Sequence, residues 1–440
     1  MLKSRILHIT PHMGGGVGNV ISGIASSSGG IHEIALLESP VNKSFMTAAQ
    51  DMGARVFVQP DEKQLHSLIE SSDVTIVHWW HHPKTARLLC HFPEVRTRLV
   101  IWTHISSLTS PALNPGILLR ALAVWFTSPS SYDAGVFKEI PYEMLMKKTR
   151  VVYGCPGLDD APDIRHEPHD GFNIGYLGYI DFSKLHTGFV LFCKAVEIAQ
   201  AHFILAGEAP AKNTLDMQAR ALGMQDRFTY TGYLENIYDV LSGFDVLGYP
   251  LMPFHTCTTE NTVLEAMAAR VPPVMLNQLS ERYIVTDNET GLLVSGIEEY
   301  GNAMRYLYQN PEKRKAMGRK ARNYVMDKYS KKKLADNFYS GIEDVMSCPK
   351  AKFHFSDILG SVPCEWFASC LGADGQSFKL SLAAGPHGQT PQIKKAILRC
   401  SPLLKGPNKA SIFHYKREFP YDPMLQVWAN TINEGSDDNE

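Results

Sequence analysis

Short apolar runs alternate with helical stretches in two separate series along this chain, and that alternation limits the folds it can adopt. In the first series, the predicted strands are 5–10, 73–78, 98–103, 123–128 and 149–153. In the second series, strands are predicted at 172–177, 201–206, 228–231, 246–249 and 273–276, with helices at 188–199, 215–222, 237–242 and 261–269. Regular β–α alternation is typical of parallel sheets covered by helices. We therefore expect an α/β protein with two doubly wound, Rossmann-like domains and a ligand cleft between them.

A segment without periodicity separates the two series. Residues 156–171 contain three prolines, two glycines and many charges, which is typical of a linker. We predict a first domain over 1–165 and a second over 170–346, the latter closing with a charged helical stretch from 311. Residues 347–440 are rich in aromatic side chains, which predicts an ordered C-terminal extension of unknown role, except for an acidic, disordered end at 434–440.

Composition excludes several functional classes. Lysine and arginine total 43 against 45 aspartates and glutamates, a net charge of −2, which argues against nucleic-acid binding. The basic stretch 313–322 could contact an anionic lipid surface, although a solvated helix face is the preferred interpretation. No apolar run reaches the length of a transmembrane helix, and the apolar stretch near the N-terminus is too short for a signal peptide. Eight scattered cysteines without a CxxC motif favour a reduced, cytoplasmic protein without a zinc site.

A glycine-rich loop joins the first predicted strand to its helix. It contains Gly14, Gly15, Gly16 and, after a valine, Gly18. Glycines allow backbone N–H groups to approach phosphate oxygens, and the following helix N-terminus attracts anions. The loop matches neither the dinucleotide-binding fingerprint nor a Walker motif. It predicts an anion-binding loop, and a tight turn without ligand is the alternative.

The stretch 258–274 contains the strongest single pattern. Polar residues, among them the helix-capping candidates Thr258 and Thr259, precede an apolar helix, so free backbone amides would point from its N-terminus into the cleft. Glu265 lies about one turn into that helix, where its carboxylate could accept two hydrogen bonds from a vicinal diol. A solvated glutamate near the helix dipole is the alternative.

The order of motifs resembles retaining glycosyltransferase family four, the glycosyl transferases group 1. The resemblance rests most on LEAMA at 264–268, PPV at 272–274 and ETGLLV at 289–294. GGGVG, IWTHIS, IGYLG, FILAGEA and TGYLENIYDVLSGFDVLGYP support it in the same order. It covers about residues 2–346 and implies the GT-B fold, in which two Rossmann-like domains face each other across a cleft. It also implies an acceptor side in the first domain and donor binding in the second.

The resemblance implies a set of donor-binding residues in the second domain. Glu265 matches the glutamate that holds the ribose hydroxyls. The polar segment before it would face the donor sugar and its phosphates; it comprises Thr258, Thr259, Glu260, Asn261 and Thr262. The family's first glutamate stands eight residues before Glu265, where this chain has Cys257, and Glu260 could replace it.

Further residues follow from the same resemblance. Lys184 takes the position of the family's phosphate-binding lysine, whereas Tyr179 replaces its arginine. A lysine there can neutralise the leaving diphosphate as a point charge. Gly232 and Leu234 belong to the predicted donor site as well, and Gly14–Gly16 would contact the diphosphate. The alternative for Lys184 is a surface lysine in a loop.

Two histidine motifs follow predicted strands of the first domain. His104 takes the position of a family histidine that contacts the donor sugar, and a buried structural histidine is the alternative. The second motif is HWWHH at 78–82. Packing at the domain edge is its preferred interpretation, aromatic stacking on an acceptor is the second, and a metal site is conceivable.

These residues predict a retaining, metal-independent hexosyltransferase of polysaccharide biosynthesis without a cofactor. It would move a sugar from a UDP- or GDP-sugar to a hydroxyl of a glycan or lipid-linked glycan. The catalytic candidates are His104, Lys184 and Glu265, and the departing phosphate would take the acceptor's proton. The alternatives are a sugar phosphorylase, a sugar-phosphate transferase, and a non-catalytic nucleotide-sugar binder. We expect it in the cytoplasm, with peripheral contact to the inner membrane surface as an option, and the oligomeric state stays open.

Overall fold

The computed structural model describes residues 3–27, 29–164, 166, 168–406, 408 and 410–437. The chain forms two compact units. Unit 1 consists of Met1–Pro156, Thr256–Thr258 and Leu334–Glu440, and unit 2 of Gly157–His255 and Thr259–Lys333. The chain thus leaves unit 1 where the linker was predicted to begin. After a short return at Thr256–Thr258 it rejoins unit 1 at Leu334, before the predicted end of the second domain.

Unit 1 is built on a seven-stranded parallel sheet. Its strands are β1 (Ser4–Thr10), β2 (Gly30–Leu36), β3 (Arg55–Val58), β4 (Val74–Trp79), β5 (Leu99–Thr103), β6 (Ala123–Phe126) and β7 (Thr149–Val151). The helices are α1 (Gly15–Ala25), α2 (Ser44–Asp51), α3 (Glu62–Ser71), α4 (Pro83–Cys90), α5 (Pro115–Arg120) and α6 (Tyr142–Lys148). The strand order is β3-β2-β1-β4-β5-β6-β7, so the order reverses direction between β1 and β4. Ligands of doubly wound sheets bind at such a switch point, beyond the carboxyl ends of the strands.

The sequence did not predict β2 and β3. β2 contains two adjacent polar residues, His32 and Glu33, both almost fully buried. Glu33 is held by ion pairs with Arg5 and Arg55 on the neighbouring strands. Because a buried carboxylate needs such partners, its compatibility with a strand depends on residues distant in the sequence.

Unit 2 repeats the architecture with six parallel strands. They are β8 (Phe172–Leu177), β9 (Ala201–Ala206), β10 (Phe228–Gly232), β11 (Val246–Tyr249), β12 (Pro273–Leu276) and β13 (Leu292–Val294), in the order β10-β9-β8-β11-β12-β13. The helices are α7 (Phe189–Lys194), α8 (Lys212–Ala221), α9 (Ile237–Leu241), α10 (Asn261–Ala268), α11 (Ile297–Gln309) and α12 (Pro311–Lys328). The predicted α/β class with two Rossmann-like units is confirmed.

The C-terminal extension packs into unit 1. After α13 (Lys331–Met346) come α14 (Ser356–Leu359), α15 (Pro363–Ser369), α16 (Gly375–Ala384), α17 (Pro391–Leu398), α18 (Pro402–Lys405), α19 (Ile412–Glu418) and α20 (Pro423–Asp437). Phe367 and Trp428 of this extension share one buried apolar cluster with Ile9 and Trp79 of the sheet. The prediction of disorder from residue 434 is wrong as far as Asp437, where α20 ends, and 438–440 lie outside the described residues.

Two expectations from composition can be compared with the fold. Within the described part of the chain, every helix is either too short or too polar to span a bilayer. All eight cysteines are free thiols, five of them buried.

Candidate functional site

Helix α10 begins at the carboxyl edge of the unit 2 sheet, because it follows the parallel strand β11. Its apolar residues Val263, Leu264 and Met267 are fully buried and fix the helix against the sheet. Glu260 precedes the helix in a left-handed conformation with φ of 47°, and its carbonyl accepts the first helical hydrogen bonds, from Val263 and Leu264. The apolar pattern of 263–268 therefore positions a helix N-terminus without a side-chain cap, the kind of site at which an anion can bind.

Lys184 and Glu260 form an ion pair at this edge. Lys184 Nζ lies 2.7 Å from Glu260 Oε2, and the Tyr249 hydroxyl donates a 2.8 Å hydrogen bond to the same oxygen. The ammonium also lies 5.4 Å from the centre of the Tyr249 ring. Burial and the adjacent Glu260 charge raise the pKa of Tyr249 well above its usual range, so its hydroxyl keeps the proton it donates. The lysine is thus held in one place by a carboxylate and an aromatic face.

This pair changes the interpretation of Glu260. Its side chain is only 4% exposed, whereas that of Lys184 is 28% exposed. The carboxylate thus stands behind the ammonium rather than at the surface. Glu260 can therefore orient the Lys184 ammonium.

Glu265 lies in a partly buried position on α10. Burial raises the pKa of its carboxyl to about 7. No side chain among the described residues hydrogen-bonds this carboxylate. The backbone carbonyl of Glu265 accepts from the Ala269 amide at the end of the helix. A partly desolvated carboxyl without a partner can accept hydrogen bonds from hydroxyl groups of a ligand, which would favour its ionised form.

The remaining predicted donor-binding residues take different positions. Thr258 and Thr259 are buried, and Asn261 Oδ1 is buried without a hydrogen-bond partner among the described residues. Thr262 is partly exposed in the first turn of α10, and Leu234 is partly exposed in the loop after β10. Tyr179 and Gly232, both exposed, stand at the ends of β8 and β10. Gly232 adopts φ of 71°, which favours glycine.

The sequence did not identify a buried pair that supports the segment before α10. His255 Nε2 lies 2.8 Å from Glu281 Oε1, and both side chains are almost fully buried. Gln278 donates to the same carboxylate oxygen at 3.2 Å. His255 directly precedes the 256–258 segment, which joins unit 1 where the Ser106 amide donates to the Thr256 carbonyl at 3.0 Å. A histidine and a glutamate 26 residues apart give no local signal, so only the fold could pair them.

In unit 1, the glycine loop and His104 lie at one edge of the sheet. The Gly14 amide donates to His12 Nδ1 at 2.9 Å, and Gly15 and Gly16 are exposed in the first turn of α1. The His12 ring lies 5.5 Å from that of Trp80, which in turn lies 6.2 Å from the ring of His104. The structure therefore brings together three features that lie far apart in the sequence.

The five residues of HWWHH have separate environments. His78 hydrogen-bonds His104, Trp79 is fully buried in the core, and Trp80 faces the glycine loop side. His81 contacts the C-terminal extension through the Phe367 carbonyl at 3.2 Å, and His82 caps α4 by accepting from the Lys84 amide. Among the described residues, no group of three or more histidines, cysteines or carboxylates is arranged to hold a metal ion. Two of these side chains pack in the core and at the extension, as the packing interpretation expects.

The extension also fixes the loop that follows His104. Ser110 Oγ donates to the Leu371 carbonyl at 2.5 Å, and the Ala112 amide donates to the Cys370 carbonyl at 2.9 Å. Asn114 Nδ2 donates to the Ser369 carbonyl at 2.8 Å. Residues 369–371 of the extension therefore hold the loop after His104 in place.

The basic stretch of α12 divides into two groups. Arg314 pairs with Asp245 at 2.7 Å, and Arg322 donates to the Pro162 carbonyl at 3.0 Å, so both act inside unit 2. Lys313, Arg319 and Lys320 are exposed. The exposed group fits a solvated helix face.

Comparison with known proteins links unit 2 to a family. Residues 171–310 match the family model described as glycosyl transferases group 1. Unit 2 is similar to glycosyltransferases. The matched range contains Lys184, Tyr249, Glu260 and Glu265. The relation of this chain to retaining family four stays a prediction.

Curated relatives agree with that match over part of their length. The chain is 26% identical over 196 residues to alpha-D-kanosaminyltransferase of Streptomyces kanamyceticus, covering 44% of this chain and 48% of the relative. It is 24% identical over 173 residues to the lipopolysaccharide core biosynthesis glycosyltransferase LpsD of Rhizobium meliloti, covering 39% and 49%. It is 29% identical over 131 residues to 2-deoxystreptamine N-acetyl-D-glucosaminyltransferase of Niallia circulans, covering 28% and 33%. The chain thus spans half or less of the length of these relatives.

Solved structures share the fold. HepE from Anabaena in complex with UDP aligns with a TM-score of 0.63 at 17% identity, covering 77% of this chain and all of HepE. Sucrose-phosphate synthase from Thermosynechococcus elongatus aligns with a TM-score of 0.59 at 14% identity, covering 78% and 99%. At these identities the likeness shows the architecture, two Rossmann-like units of the GT-B fold.

Proposed function

We propose that this protein is a glycosyltransferase that moves a sugar from a nucleoside diphosphate sugar to a hydroxyl group. The observation that carries the proposal is the edge of unit 2, where Lys184 and the N-terminus of α10 lie together inside the range that matches glycosyl transferases group 1. A lysine and a helix N-terminus both attract phosphate. The partnerless carboxyl of Glu265 stands on the same helix, one turn further on.

Each group has a specific role in the proposed donor site. The diphosphate binds the Lys184 ammonium and the amides that begin α10, with Asn261 and Thr262 adjacent. The ribose diol donates two hydrogen bonds to the Glu265 carboxylate. Glu260 and Tyr249 hold Lys184 in its orientation before the donor arrives, so that little reorganisation is needed as charge develops. For Gly14–Gly16 and His104 of unit 1, we keep the roles predicted from the sequence, toward the diphosphate and the sugar respectively.

The proposed reaction breaks the bond between the anomeric carbon and the phosphate oxygen. Negative charge develops on the leaving diphosphate and is stabilised by Lys184 and the α10 amides. The departing phosphate oxygen takes the proton of the acceptor hydroxyl, which attacks from the same face, so configuration at the anomeric carbon is retained. These charges are supplied by protein groups, and we therefore propose catalysis without a bound metal. Chelation with EDTA should leave the rate unchanged.

The relatives suggest which substrates to test first. HepE has been solved with UDP and with UDP-glucose, which favours a UDP-hexose as donor. The names of the curated relatives include transfer to 2-deoxystreptamine and lipopolysaccharide core biosynthesis. A small hydroxylated acceptor and a glycan or lipid-linked glycan are therefore the two acceptor classes. With a lipid-linked glycan as acceptor, we propose that the reaction takes place at the cytoplasmic membrane surface.

A ligand screen tests the proposal directly. Thermal unfolding is measured with UDP, GDP, ADP and their sugars, since a ligand that binds the folded state raises the melting temperature. We expect a shift with one nucleotide series and a smaller shift in Lys184→Ala, while Lys320→Ala, an exposed lysine on α12, behaves as the wild type. Absence of any shift would reject the proposal.

Product analysis distinguishes the enzymatic alternatives. Release of UDP with retained configuration in the product supports transfer to an acceptor. Turnover that requires inorganic phosphate would identify a phosphorylase instead. Donor binding without release of nucleotide under any condition would identify a non-catalytic binder.

A further inference from the structure

Four histidines form a row across the sheet of unit 1. They belong to β2, β1 and β4 and to the residue after β5, which are neighbours in the sheet. In sheet order they are His32, His8, His78 and His104. Phe338 of α13 covers one end of the row, with its ring 6.1 Å from those of both His8 and His32. The sequence analysis considered only His78 and His104 of this row.

Each histidine hydrogen-bonds the next one through its ring nitrogens. His32 Nδ1 lies 3.0 Å from His8 Nε2, and His8 Nδ1 lies 3.0 Å from His78 Nε2. His78 Nδ1 lies 2.8 Å from His104 Nε2. Every contact joins an Nδ1 to an Nε2, so the row runs head to tail.

The head-to-tail pattern forces one common direction. A neutral imidazole has one N–H donor and one acceptor nitrogen. Burial lowers the pKa of His32 to about 4 and of His104 to about 3, and burial and neighbouring imidazoles lower those of His8 and His78 well below the usual value. All four rings are therefore neutral near pH 7. Once one ring donates through Nε2, each ring in the row must do the same.

The direction is set at the far end, on Ser27. Ser27 Oγ donates to the Ile24 carbonyl at 2.6 Å, because a carbonyl can only accept. Ser27 Oγ also lies 2.9 Å from the Tyr339 hydroxyl; either oxygen can donate in such a contact, and the bond from Ser27 to the Ile24 carbonyl assigns the donor role to Tyr339. Tyr339 in turn lies 2.9 Å from His32 Nε2, and since its proton points to Ser27, it accepts from His32. His32 is therefore protonated on Nε2.

At the opposite end of the row, the same argument determines which nitrogen of His104 carries the proton. If every ring is protonated on Nε2, then His104 donates to His78, and its Nδ1 carries a lone pair. His104 is partly exposed beside Trp80, and no hydrogen-bonding group among the described residues contacts its Nδ1. We propose that Ser27, Tyr339, His32, His8 and His78 are positioning residues that hold His104 as a hydrogen-bond acceptor toward the sugar contact that the family resemblance implies.

This inference rests on the proposed function for the identity of the ligand, and it narrows the role of His104. A neutral nitrogen with a lone pair accepts from a sugar hydroxyl but repels a phosphate or carbonyl oxygen. His104 therefore belongs to the sugar, whereas the diphosphate is left to Lys184, the α10 amides and the glycine loop.

The direction can be tested without any ligand. In protein labelled with 15N-histidine, long-range 1H–15N correlations distinguish the two tautomers, and a His104→Gln spectrum assigns the His104 signals. We expect His104 to be protonated on Nε2 in the wild type. In Ser27→Ala, Tyr339 loses its acceptor and can donate to His32, so His104 should shift to the Nδ1-protonated tautomer or a mixture. An Nδ1-protonated His104 in the wild type, or no change in Ser27→Ala, would overturn the inference.

Two neighbouring variants control this experiment. Ser26→Ala removes the adjacent exposed hydroxyl, which bonds the Gly23 carbonyl outside the row, and should leave the tautomer unchanged. Ser27→Thr keeps a hydroxyl at the end of the row and should restore the wild-type signals. A response in Ser26→Ala equal to that in Ser27→Ala would show a general effect on α1 and count against the row.

A binding measurement then tests the ligand assignment. Ser27→Ala should weaken binding of UDP-glucose roughly tenfold, the size of one hydrogen bond, and leave that of UDP unchanged. Equal weakening of both ligands would contradict the placement of His104 at the sugar. If neither ligand binds the wild type, the proposed function fails, while the tautomer spectra still decide the direction of the row.

Discussion

The carboxyl edges of the two sheets stabilise their polar side chains in opposite ways. In unit 2, Lys184 and Glu260 form an ion pair beside the N-terminus of α10. In unit 1, the row that ends at His104 is neutral, and each ring is bonded to the next. A charged group can exchange or share its partner with a charged ligand, whereas a neutral row can offer only one defined hydrogen bond. The comparison supports the proposals that Lys184 of unit 2 binds phosphate and that His104 of unit 1 accepts from a sugar hydroxyl.

The largest expected effect tests whether the C-terminal extension is part of unit 1. Trp428 is fully buried, its ring lies 4.9 Å from that of Phe378, and its Nε1 donates to Ser381 Oγ at 2.8 Å. Trp428→Ala should lower the free energy of unfolding of unit 1 by about 3–5 kcal/mol. Hydrogen exchange should show lost protection in β1–β7, while β8–β13 keep theirs. Tyr421→Ala, at a 96% exposed position, is the control.

The second prediction concerns a variant that removes the positive charge of Lys184 in unit 2. Lys184→Ala should lower kcat by about 100- to 1000-fold, because the leaving diphosphate loses its lysine and the buried Glu260 is left without its counter-ion. Steady-state kinetics with the donor identified in the screen measures this effect. Lys320→Ala should keep wild-type kinetics. A kcat within twofold of the wild type in Lys184→Ala would remove the assignment of phosphate to unit 2.

The third prediction concerns pH and Glu265. Because the folded-state pKa is about 7 and the ordinary value 4.5, ionisation destabilises the fold, and stability falls as pH rises between these values. Glu265→Gln should therefore raise the free energy of unfolding at pH 8 by up to about 3 kcal/mol. Chemical denaturation at pH 4 and pH 8 measures the difference, with Glu298→Gln on the exposed face of α11 as control.

Donor binding should respond to the same titration in the opposite sense. In the proposed site the Glu265 carboxylate accepts from the ribose hydroxyls, so the donor affinity of the wild type should increase as pH rises through about 7. Glu265→Gln should bind more weakly and without this pH dependence, as calorimetry across pH 6 to 8 can measure. A pH dependence that persists in the variant would place the titrating group elsewhere.

The smallest expected effect concerns Tyr249, which helps to orient Lys184 through Glu260. Tyr249→Phe removes the 2.8 Å hydrogen bond to Glu260 and keeps the aromatic face. We expect a loss of about 1 kcal/mol of transition-state stabilisation, which is a fewfold lower kcat/KM. An effect as large as that of Lys184→Ala would mean that Tyr249 contacts the substrate itself.

The local patterns of the sequence were sufficient for the architecture and for the position of α10. The period of 263–268 predicted a helix with one buried face, and the structure has it at 261–268. β2 was missed because Glu33 depends on Arg5 and Arg55 from two other segments. The hydrogen bond from Tyr249 to Glu260 was not predicted for a related reason. A polar residue before a helix can cap it, contact a ligand or pair with a side chain from another loop, and spacing alone does not distinguish these.

The sequence by itself determined the approximate positions of most strands and which face of α10 is buried, because these depend on neighbours within a few positions. Only the tertiary structure decided that His32, His8, His78 and His104 are consecutive partners. Their strands follow the sheet order β2-β1-β4-β5, which crossover connections set. It also decided that apolar residues of the C-terminal extension, from Phe353 to Ile432, complete the core of unit 1. Alternation within a strand gives the face on which a side chain lies, but the neighbour across the sheet is chosen by the path of the whole chain.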